Sequence, residues 1–331
     1  MYSDRIRLSS LHSKVMSADE AATHVLDGMT VGMSGFTRAG EAKAVPMALI
    51  KRAKENPLKI SLITGASLGN DLDGLMAEAG LLARRMPFQA DAALRKAINA
   101  GEVMFIDQHL SHTVEQMRNH QIKKPDLAII EAVAITEDGH IVPTTSVGNS
   151  ANLALFADKV IIELNMAHNP NLEGLHDIYI PGERPNPQPI PLLKVDDRIG
   201  TGAIPIDPAK IAAIVVTDQP DSYSTVTPPD DETQAIANHL IHFFKKEVDA
   251  GRLSNSLGPL QAGIGNIANA VMCGLIDSPF ENLVMYSEVL QDSTFDLIDA
   301  GKMVFASGCS ITLSERCNNR VFGNLEKYKD K

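Results

Sequence analysis

A glycine-rich loop and a nearby acidic residue are the groups whose types and spacing could do chemistry together. The loop is GPLQAGIGNIANAV, which starts at Gly258, and Glu288 follows in YSEVLQD. Gly263 and Gly265 allow the backbone to approach a ligand closely. Exposed N–H groups where the next helix begins would attract an anion. Glu288 ends an apolar strand, the end at which open α/β sheets bind ligands, so the carboxylate and the loop could face each other.

Two other interpretations of the same residues stay open at this point. Gly258–Pro259 forms a turn, Asn266 can cap the following helix, and the glycines could serve packing alone. The letters G-x-G-x-x-A also match a dinucleotide fingerprint, which would make the chain an NAD-dependent oxidoreductase with Glu288 near the ribose. That fingerprint should follow a buried strand directly, and the preceding GRLSNSLGPLQA lacks β-branched residues.

The other polar features of the sequence are weaker indications of a ligand or metal site. TTSVGNS, from Thr144, supplies hydroxyls before a helix and could line a carboxylate pocket or only cap the helix. His109 and His112 could share a helix face, but no carboxylates accompany them in a ligand pattern, so we expect no metal site. Walker A and HExxH motifs do not occur, which disfavours P-loop proteins and zincins.

Short apolar segments that alternate with helical patterns must position these groups. Several segments are apolar throughout, which is typical of parallel strands covered on both faces. The predicted strands are MTVGMS from Met29, LKISLIT from Leu58, EVMFID from Glu102, DLAIIEA from Asp126, KVIIEL from Lys159, IAAIVVT from Ile211, NLVMYS from Asn282 and KMVFAS from Lys302. The sequence therefore predicts an α/β fold with open, mostly parallel sheets.

Helix signals and irregular stretches predict the organisation of the chain. One helix has Pro46 in its first turn, another ends on Gly101, and ITEDGHIV forms a hairpin around Asp138 and Gly139. Residues 169–208 are rich in proline and predict a long irregular excursion. The polar stretch 218–232 precedes an amphipathic helix over 233–250, so we predict domains at residues 1–218 and 219–331.

An internal similarity suggests that the two halves are related. INAGEVMF, from Ile98, reappears as IDAGKMVF, from Ile298, and in both places a helix ends on Ala-Gly and leads into a strand. Each half also has an earlier glycine-bearing loop that enters a helix. The alternative is coincidence, because this joint is common in α/β proteins. We predict two related α/β lobes.

Size and composition limit the function classes. The chain has 331 residues, more than one core usually holds, with 44% hydrophobic and 21% charged residues. A net charge of -11 and the lack of Trp argue against nucleic acid and anionic membranes. Three cysteines without a CxxC pair disfavour disulfides and structural zinc. No signal peptide or membrane span is recognisable, so we expect a cytoplasmic protein.

The sequence resembles the acetyl-CoA hydrolase/transferase family, a branch of the class I CoA-transferases, along essentially its whole length. The similar segments are YSEVLQD, LQAGIGNIANAV, SGFTRAGEAKAVP, LITGASLGNDLDG, DLAIIEAVAITEDGHIVPTTSVGNSANLALFADKVIIELN and SGCSITLSE. Members of this family include succinate–acetate and propionate–succinate CoA-transferases. They are usually longer, with further CoA contacts and oxyanion-hole residues in a C-terminal segment. The resemblance thus implies a shortened chain, whose activity on its own is open.

The resemblance implies roles for individual residues. The glutamate of the YSEVLQD-type motif is the family's nucleophile, which forms a CoA thioester, and the matching residue is Glu288. The implied catalytic residues are Glu288, Gly265 and Ile264, and the implied CoA-binding residues are Gly258, Pro259, Leu260, Gln261, Ala262, Gly263 and Asn266. Coenzyme A enters as substrate, no metal is needed, and the partners are an acyl-CoA and a small carboxylate.

The expected activity is CoA transfer in acetate and carboxylic acid metabolism, with acyl-CoA hydrolysis as the alternative on the same fold. The family also implies a homodimer. A non-enzymatic alternative is a fragment that binds CoA or a partner chain without turnover.

Overall fold

The computed structural model describes residues 2–331 and divides them into two compact units. The first unit comprises residues 2–190 and Gly200–Ser222, and the second comprises Pro191–Ile199 and Tyr223–Lys331. The predicted domain boundary after residue 218 stays a prediction. Within residues 2–331, no helix is both long enough and apolar enough to cross a membrane.

A parallel sheet forms the centre of the first unit. Its strands are β1 Thr30–Met33, β2 Ile60–Ile63, β3 Leu82–Met86, β4 Met104–Phe105, β5 Leu127–Ala132, β8 Lys159–Asn165 and β9 Ile211–Thr217, and a separate hairpin joins β6 Ala134–Ile135 to β7 Ile141–Val142. The seven strands lie in the order β4-β3-β2-β1-β5-β8-β9. All neighbours are parallel, which confirms the predicted α/β class.

Helices cover this sheet because its strands are apolar on both faces. The helices are α1 Ala18–Ala22, α2 Ala44–Glu55, α3 Leu72–Glu78, α4 Ala92–Asn99, α5 Leu110–Arg118 and α6 Ser150–Phe156. Along β5, Ile129 joins one buried apolar cluster, whereas Ala128 and Ile130 join a second. Side chains alternate across a strand, so the two clusters are the two faces of the sheet. The continuous apolar pattern of β5 therefore reflects the burial of both faces of the sheet.

The second unit repeats part of this plan around a smaller parallel sheet. Its strands are β10 Pro259–Leu260, β11 Leu283–Leu290 and β12 Met303–Ile311, in the order β10-β11-β12, and its helices are α7 Asp231–Asp249, α8 Asn266–Gly274, α9 Asp292–Asp299 and α10 Glu315–Phe322. The series β10-α8-β11-α9-β12-α10 has the same element order and strand adjacency as β2-α3-β3-α4-β4-α5.

The two similar sequence segments occupy corresponding places in these series. Gly101 follows α4 with φ 77° and Gly301 follows α9 with φ 72°, and each residue precedes the third strand of its series. Helices often end with a residue in the left-handed conformation, and glycine is favoured at that position because it adopts a positive φ without steric strain. The repeated order supports the predicted relationship between two lobes.

Three local predictions need correction. Strand β3 was missed because Arg84 and Arg85 interrupt its apolar pattern, although the Arg85 side chain is buried and paired with Asp73. Strand β4 is a two-residue edge strand in which Met104 is 58% exposed, not a buried strand. Pro259 belongs to β10 and not only to a turn, since proline fits an edge strand. Residues 169–208 are irregular as predicted, apart from short turns, the 3-10 helix Pro170–Leu172 and isolated bridges such as that between Ile178 and Thr201.

Candidate active site

Glu288 lies on the exposed face of β11, near the carboxyl end of the strand. Met285, Ser287 and Val289 are buried, whereas Tyr286 and Glu288 are exposed, so the strand alternates between core and solvent. Within residues 2–331, no hydrogen bond or ion pair engages the Glu288 carboxylate. The side chain is therefore available to a ligand and is not part of a structural ion pair.

The neighbour of Glu288 on the sheet is Cys309. The register pairs Ser287 with Gly308 and Val289 with Ser310, which puts Cys309 beside Glu288 on β12. Desolvation raises the pKa of the Cys309 thiol, although the residue as a whole is exposed, and the negative charge of Glu288 raises it further. Both side chains thus share one face, and the thiol stays protonated and electrically neutral near the carboxylate.

Residues on either side of Glu288 hold the glycine-rich loop in place. The Ser287 hydroxyl donates to the carbonyl of Ala262 at 3.1 Å and accepts the Ala262 N–H at 3.4 Å. The side-chain amide of Gln291 donates to the carbonyl of Gly263 at 3.2 Å. The predicted loop and the predicted acid are therefore brought together through these contacts.

The loop glycines do not serve packing within the chain. A Cβ added to Gly258, Gly263 or Gly265 would meet no atom within 4 Å. Gly258 and Gly265 have φ values of 79° and 135°, which side-chain-bearing residues rarely adopt. At Gly263 neither a positive φ nor a close contact in residues 2–331 requires glycine. Close approach by a ligand would explain why residue 263 is glycine. The alternative in which the glycines of this loop serve packing alone is wrong.

The N-terminus of α8 is open, which corrects one predicted role. Asn266 is the first helical residue and not the cap; Gly265 is the N-cap residue, and no side chain caps the helix. Within residues 2–331, no loop or cap hydrogen bond uses the N–H of Gly263, Ile264 or Gly265. These donors, together with the helix dipole, form an anion-binding end.

A cavity of about 830 Å³ lies beside this loop in the second unit. Its apolar wall includes Leu240 and Phe244 of α7 and Val271 of α8. Seven predicted site residues line it, namely Leu260, Gln261, Ala262, Gly263, Ile264, Gly265 and Asn266, whereas Gly258, Pro259 and Glu288 do not. The cavity combines an apolar wall with backbone donors, which suits a ligand with an apolar arm and a polar head.

The dinucleotide alternative gains one structural feature and still lacks support. Strand β10 immediately precedes the loop, so β10, α8 and β11 form a parallel β-α-β unit with Glu288 at its end. Strand β10 has only two residues and neither is buried, so the loop still lacks the buried strand that a dinucleotide fingerprint should follow. Fold and loop alone leave this alternative open.

A second polar cluster occupies the carboxyl ends of the strands in the first unit, and the sequence analysis missed it. The Lys43 ammonium donates to Glu131 Oε1 at 2.6 Å and to Asp221 Oδ1 at 2.8 Å. The amide of Asn165 donates to Glu131 Oε1 at 2.6 Å. Lys43 and Glu131 are 2% and 0% exposed, so water does not screen this pair. Its members come from loops after β1 and β9 and from β5 and β8 themselves.

Hydroxyls of the TTSVGNS segment belong to this cluster. Thr144 donates to Glu131 at 2.5 Å, and Thr145 donates to Asp221. Ser146 donates to the carbonyl of Ala39 at 2.8 Å. These three hydroxyls are therefore engaged by the protein itself and do not line an open carboxylate pocket.

Burial and charge move the pKa values in this cluster in opposite directions. Burial, followed by repulsion from Asp221, raises the pKa of Glu41 to about 8. Burial alone would raise the pKa of Glu131, but the charges of Lys43 and His168 and their hydrogen bonds together outweigh it and lower that pKa to about 2. Burial disfavours the charged form of Lys43. The negative charges of Glu131 and Asp221 favour it more strongly, so the pKa of Lys43 is raised. Glu41 is therefore neutral at pH 7 and Glu131 is ionised.

Distance alone would let Glu131, His168 and Asp221 hold a metal ion. The Lys43 ammonium already contacts both carboxylates and supplies the positive charge that a metal would bring. His168 Nε2 is 3.5 Å from Glu131 and 3.7 Å from Asp221. Burial lowers the pKa of His168 and the charge of Asp221 raises it, and the net effect is a rise. Protonation of His168 therefore competes with metal binding.

The histidines His109 and His112 lie against each other where α5 begins. Their ring centroids are 5.5 Å apart in an edge arrangement. They belong to no group of three potential ligands within residues 2–331. Nothing in this arrangement indicates a ligand site.

The glycine-bearing loop between β1 and α2 of the first unit leads into a closed helix end. Glu163 of β8 accepts the N–H groups of Lys43, Ala44 and Val45 at 2.6, 2.9 and 3.0 Å. This carboxylate caps α2 from a distant strand. An anion therefore cannot use the N-terminus of α2, in contrast to the open end of α8.

Comparison with known proteins adds a family match. The model of the acetyl-CoA hydrolase/transferase N-terminal domain matches residues 2–216. The succinyl-CoA:acetate CoA-transferase of Clostridium kluyveri is 44% identical over 329 residues, which cover 99% of this chain and 61% of the relative. The acetyl-CoA hydrolase of Saccharomyces cerevisiae is 43% identical over 339 residues, which cover 98% and 64%. The chain thus spans less than two thirds of the length of these relatives.

Solved structures share the fold at low sequence identity. RipA from Yersinia pestis has a TM-score of 0.65 and 17% identity, with 94% of this chain and 66% of that chain covered. A 4-hydroxybutyrate CoA-transferase from Porphyromonas gingivalis has a TM-score of 0.61 and 19% identity, with 96% and 67% covered. The curated relatives give the oxidoreductase alternative no support.

Proposed function

Because the chain belongs to the acetyl-CoA hydrolase/transferase family, we propose that it transfers coenzyme A between an acyl-CoA and a small carboxylic acid, with Glu288 as nucleophile. The observation that supports this most is local to the second unit. Glu288 is exposed and unpaired within residues 2–331, and Ser287 and Gln291 on either side hold an open anion-binding loop. A nucleophile and preorganised donors are what acyl transfer requires.

The reaction would proceed by two exchanges at the same carboxylate. Glu288 attacks the thioester carbonyl, and loss of CoA thiolate leaves an acyl–glutamyl anhydride. The thiolate attacks the glutamyl carbonyl and releases the first acid, which leaves a glutamyl-CoA thioester. A second acid attacks this thioester and reverses the sequence. Each intermediate remains an activated acyl group, so ATP is not required.

The glycine-rich loop would act on the charge that develops during these steps. The N–H groups of Ile264 and Gly265 point from the open start of α8, where an oxyanion would gain from both the donors and the helix dipole. The adjacent cavity, lined by Leu260 to Asn266, would hold part of CoA. Gly258 and Pro259 would act through the shape of the loop, since they do not line the cavity.

Hydrolysis of acyl-CoA is a second candidate, favoured by the yeast relative with 43% identity. The first steps are the same, and water then replaces the second acid. The difference is access of water to the glutamyl thioester. Thiol release from acetyl-CoA with and without added acid separates the two reactions.

The decisive experiment is detection of the covalent intermediate. The protein is incubated with acetyl-CoA alone, and intact mass spectrometry reports a CoA adduct on Glu288. Glu288→Gln should form no adduct and no product, because the amide keeps the shape but not the charge. Glu281→Gln, at another exposed glutamate of the same unit, is the matched control and should behave as wild type. Normal exchange by Glu288→Gln would refute the proposal.

We further propose a homodimer in the cytoplasm that uses no metal, as the family resemblance implies. Light scattering of the purified protein tests the dimer. Activity that survives dialysis against a chelator tests the metal statement. The residue ranges 1–218 and 219–331 remain our proposed domains.

A further inference from the structure

The side chain of Gln291 does not have the role that its position in the chain predicts. Gln291 is the N-cap residue of α9, with φ -115° and ψ 177°, a conformation typical of N-cap residues. Ser, Thr, Asp and Asn are preferred there because their short side chains accept N–H groups of the first helical turn. The Gln291 side chain makes no such hydrogen bond. Its amide donates instead to the carbonyl of Gly263 in the glycine-rich loop, at 3.2 Å.

This hydrogen bond fixes the orientation of one peptide group. The bond between Gly263 and Ile264 is trans, because the two cis bonds in the described part of the chain are both X-Pro bonds. In a trans peptide the carbonyl and the N–H point in opposite directions. Gln291 therefore turns the Gly263 carbonyl towards the start of α9 and the Ile264 N–H away from it.

Few other contacts restrain this peptide group. The preceding residue, Ala262, is held at both its N–H and its carbonyl by the buried hydroxyl of Ser287. The loop beyond Ala262 is exposed, and within residues 2–331 the Gln291 amide is the one hydrogen-bond partner of the Gly263 carbonyl. The orientation of the Ile264 N–H therefore depends on Gln291.

We propose that Gln291 is a positioning residue for the reaction, which aims the Ile264 N–H at the oxygen that becomes negatively charged when Glu288 attacks the thioester. Gln291 follows Glu288 closely in sequence, so one short segment carries the nucleophile and the group that orients its oxyanion donor. The hydrogen bond to the Gly263 carbonyl also polarises the peptide group and strengthens the N–H as a donor. This inference rests on the proposed function.

A positioning role and a structural role of Gln291 predict different kinetics. An oxyanion donor acts in the transition state and not in the bound substrate. The same loop lines the cavity proposed for CoA. General loosening of the loop would therefore weaken the binding of acetyl-CoA, whereas misdirection of one N–H would lower the rate at saturating acetyl-CoA.

Two substitutions of Gln291 test this role through the single-turnover rate at which the CoA adduct forms. Gln291→Met removes the donor at nearly constant length, and Gln291→Asn keeps the amide but shortens its reach. Each should lower the rate at saturating acetyl-CoA about three- to tenfold, the range of one hydrogen bond, and leave the half-saturating concentration unchanged. Gln291→Asn should also hold or raise the urea midpoint, because asparagine is a preferred N-cap residue.

The matched control is Gln234→Met in α7, which removes another side-chain amide hydrogen bond of the second unit. The Gln234 amide donates to the side chain of Asn238 at 3.0 Å, and neither residue lines the cavity. This variant should keep the wild-type rate. Unchanged rates in both Gln291 variants, an equal loss in Gln234→Met, or a rise in the half-saturating concentration alone would refute the inference.

Failure of the proposed function would give a different result, since the wild-type protein would then form no adduct on Glu288. In that case NMR tests the positioning itself, because the amide nitrogen shift of Ile264 responds to hydrogen bonding at the preceding carbonyl. A changed shift in Gln291→Met but not in Gln234→Met would support Gln291 as the residue that orients this peptide group. An unchanged shift in Gln291→Met would overturn that role.

Discussion

Gly265→Ala isolates the contribution of the glycine-rich loop to the reaction. Gly265 has φ 135° and ψ 169°, a region that essentially only glycine adopts. The added methyl group would meet no atom within 4 Å, so the change acts through the backbone alone. Alanine must either keep this strained conformation or rotate the peptide units on both sides.

The two outcomes for the backbone have different magnitudes. Keeping the conformation costs about 1–3 kcal/mol of folding free energy. Rotating the peptide units moves the N–H groups of Gly265 and Asn266, and loss of one oxyanion donor lowers a rate about 10²–10³-fold. We therefore expect adduct formation at Glu288 to slow by about that factor, because rotation is the cheaper response in an exposed loop.

The assay measures the single-turnover rate of CoA adduct formation by mass spectrometry, alongside urea unfolding. Gly301→Ala is the matched control, since Gly301 has φ 72°, no neighbour within 4 Å of an added Cβ, and a position after α9 away from the loop. It should lose about 1 kcal/mol of stability and keep its rate. An unchanged rate in Gly265→Ala, or an equal loss in Gly301→Ala, would refute the role of the loop donors.

Two further predictions concern the buried cluster of the first unit. Lys43→Met should lower the free energy of unfolding by about 3–5 kcal/mol in urea titrations, because it leaves buried carboxylates uncompensated; a change below 1 kcal/mol would contradict this. Glu41 has a pKa of about 8 in the folded protein, whereas its ordinary pKa is 4.5. At a pH between these two values, the Glu41 carboxylate therefore takes up a proton when the protein folds. The Glu41 proton should therefore make stability fall as pH rises from 4.5 to 8, by up to about 1.4 kcal/mol per pH unit, and Glu41→Gln should remove this part of the slope.

Local patterns in the sequence were sufficient for most of the elements and for part of the site. Apolar runs of strand length predicted β1, β2, β5, β8 and β9, because parallel strands covered on both faces are apolar throughout. Residue types and spacing also singled out Glu288 and the loop before α8. Each of these features depends on neighbours along the chain, which a sequence displays directly.

Tertiary structure decided everything that depends on contacts between distant strand ends. Lys43, Glu131 and Asp221 are far apart in sequence, and only the strand order β1-β5-β8-β9 brings them together. Arg85 is polar in sequence yet buried, since Asp73 pairs with it. The capping of α2 by Glu163 likewise depends on packing. Long-range contacts determine which polar groups are buried, paired or free, and no local pattern encodes them.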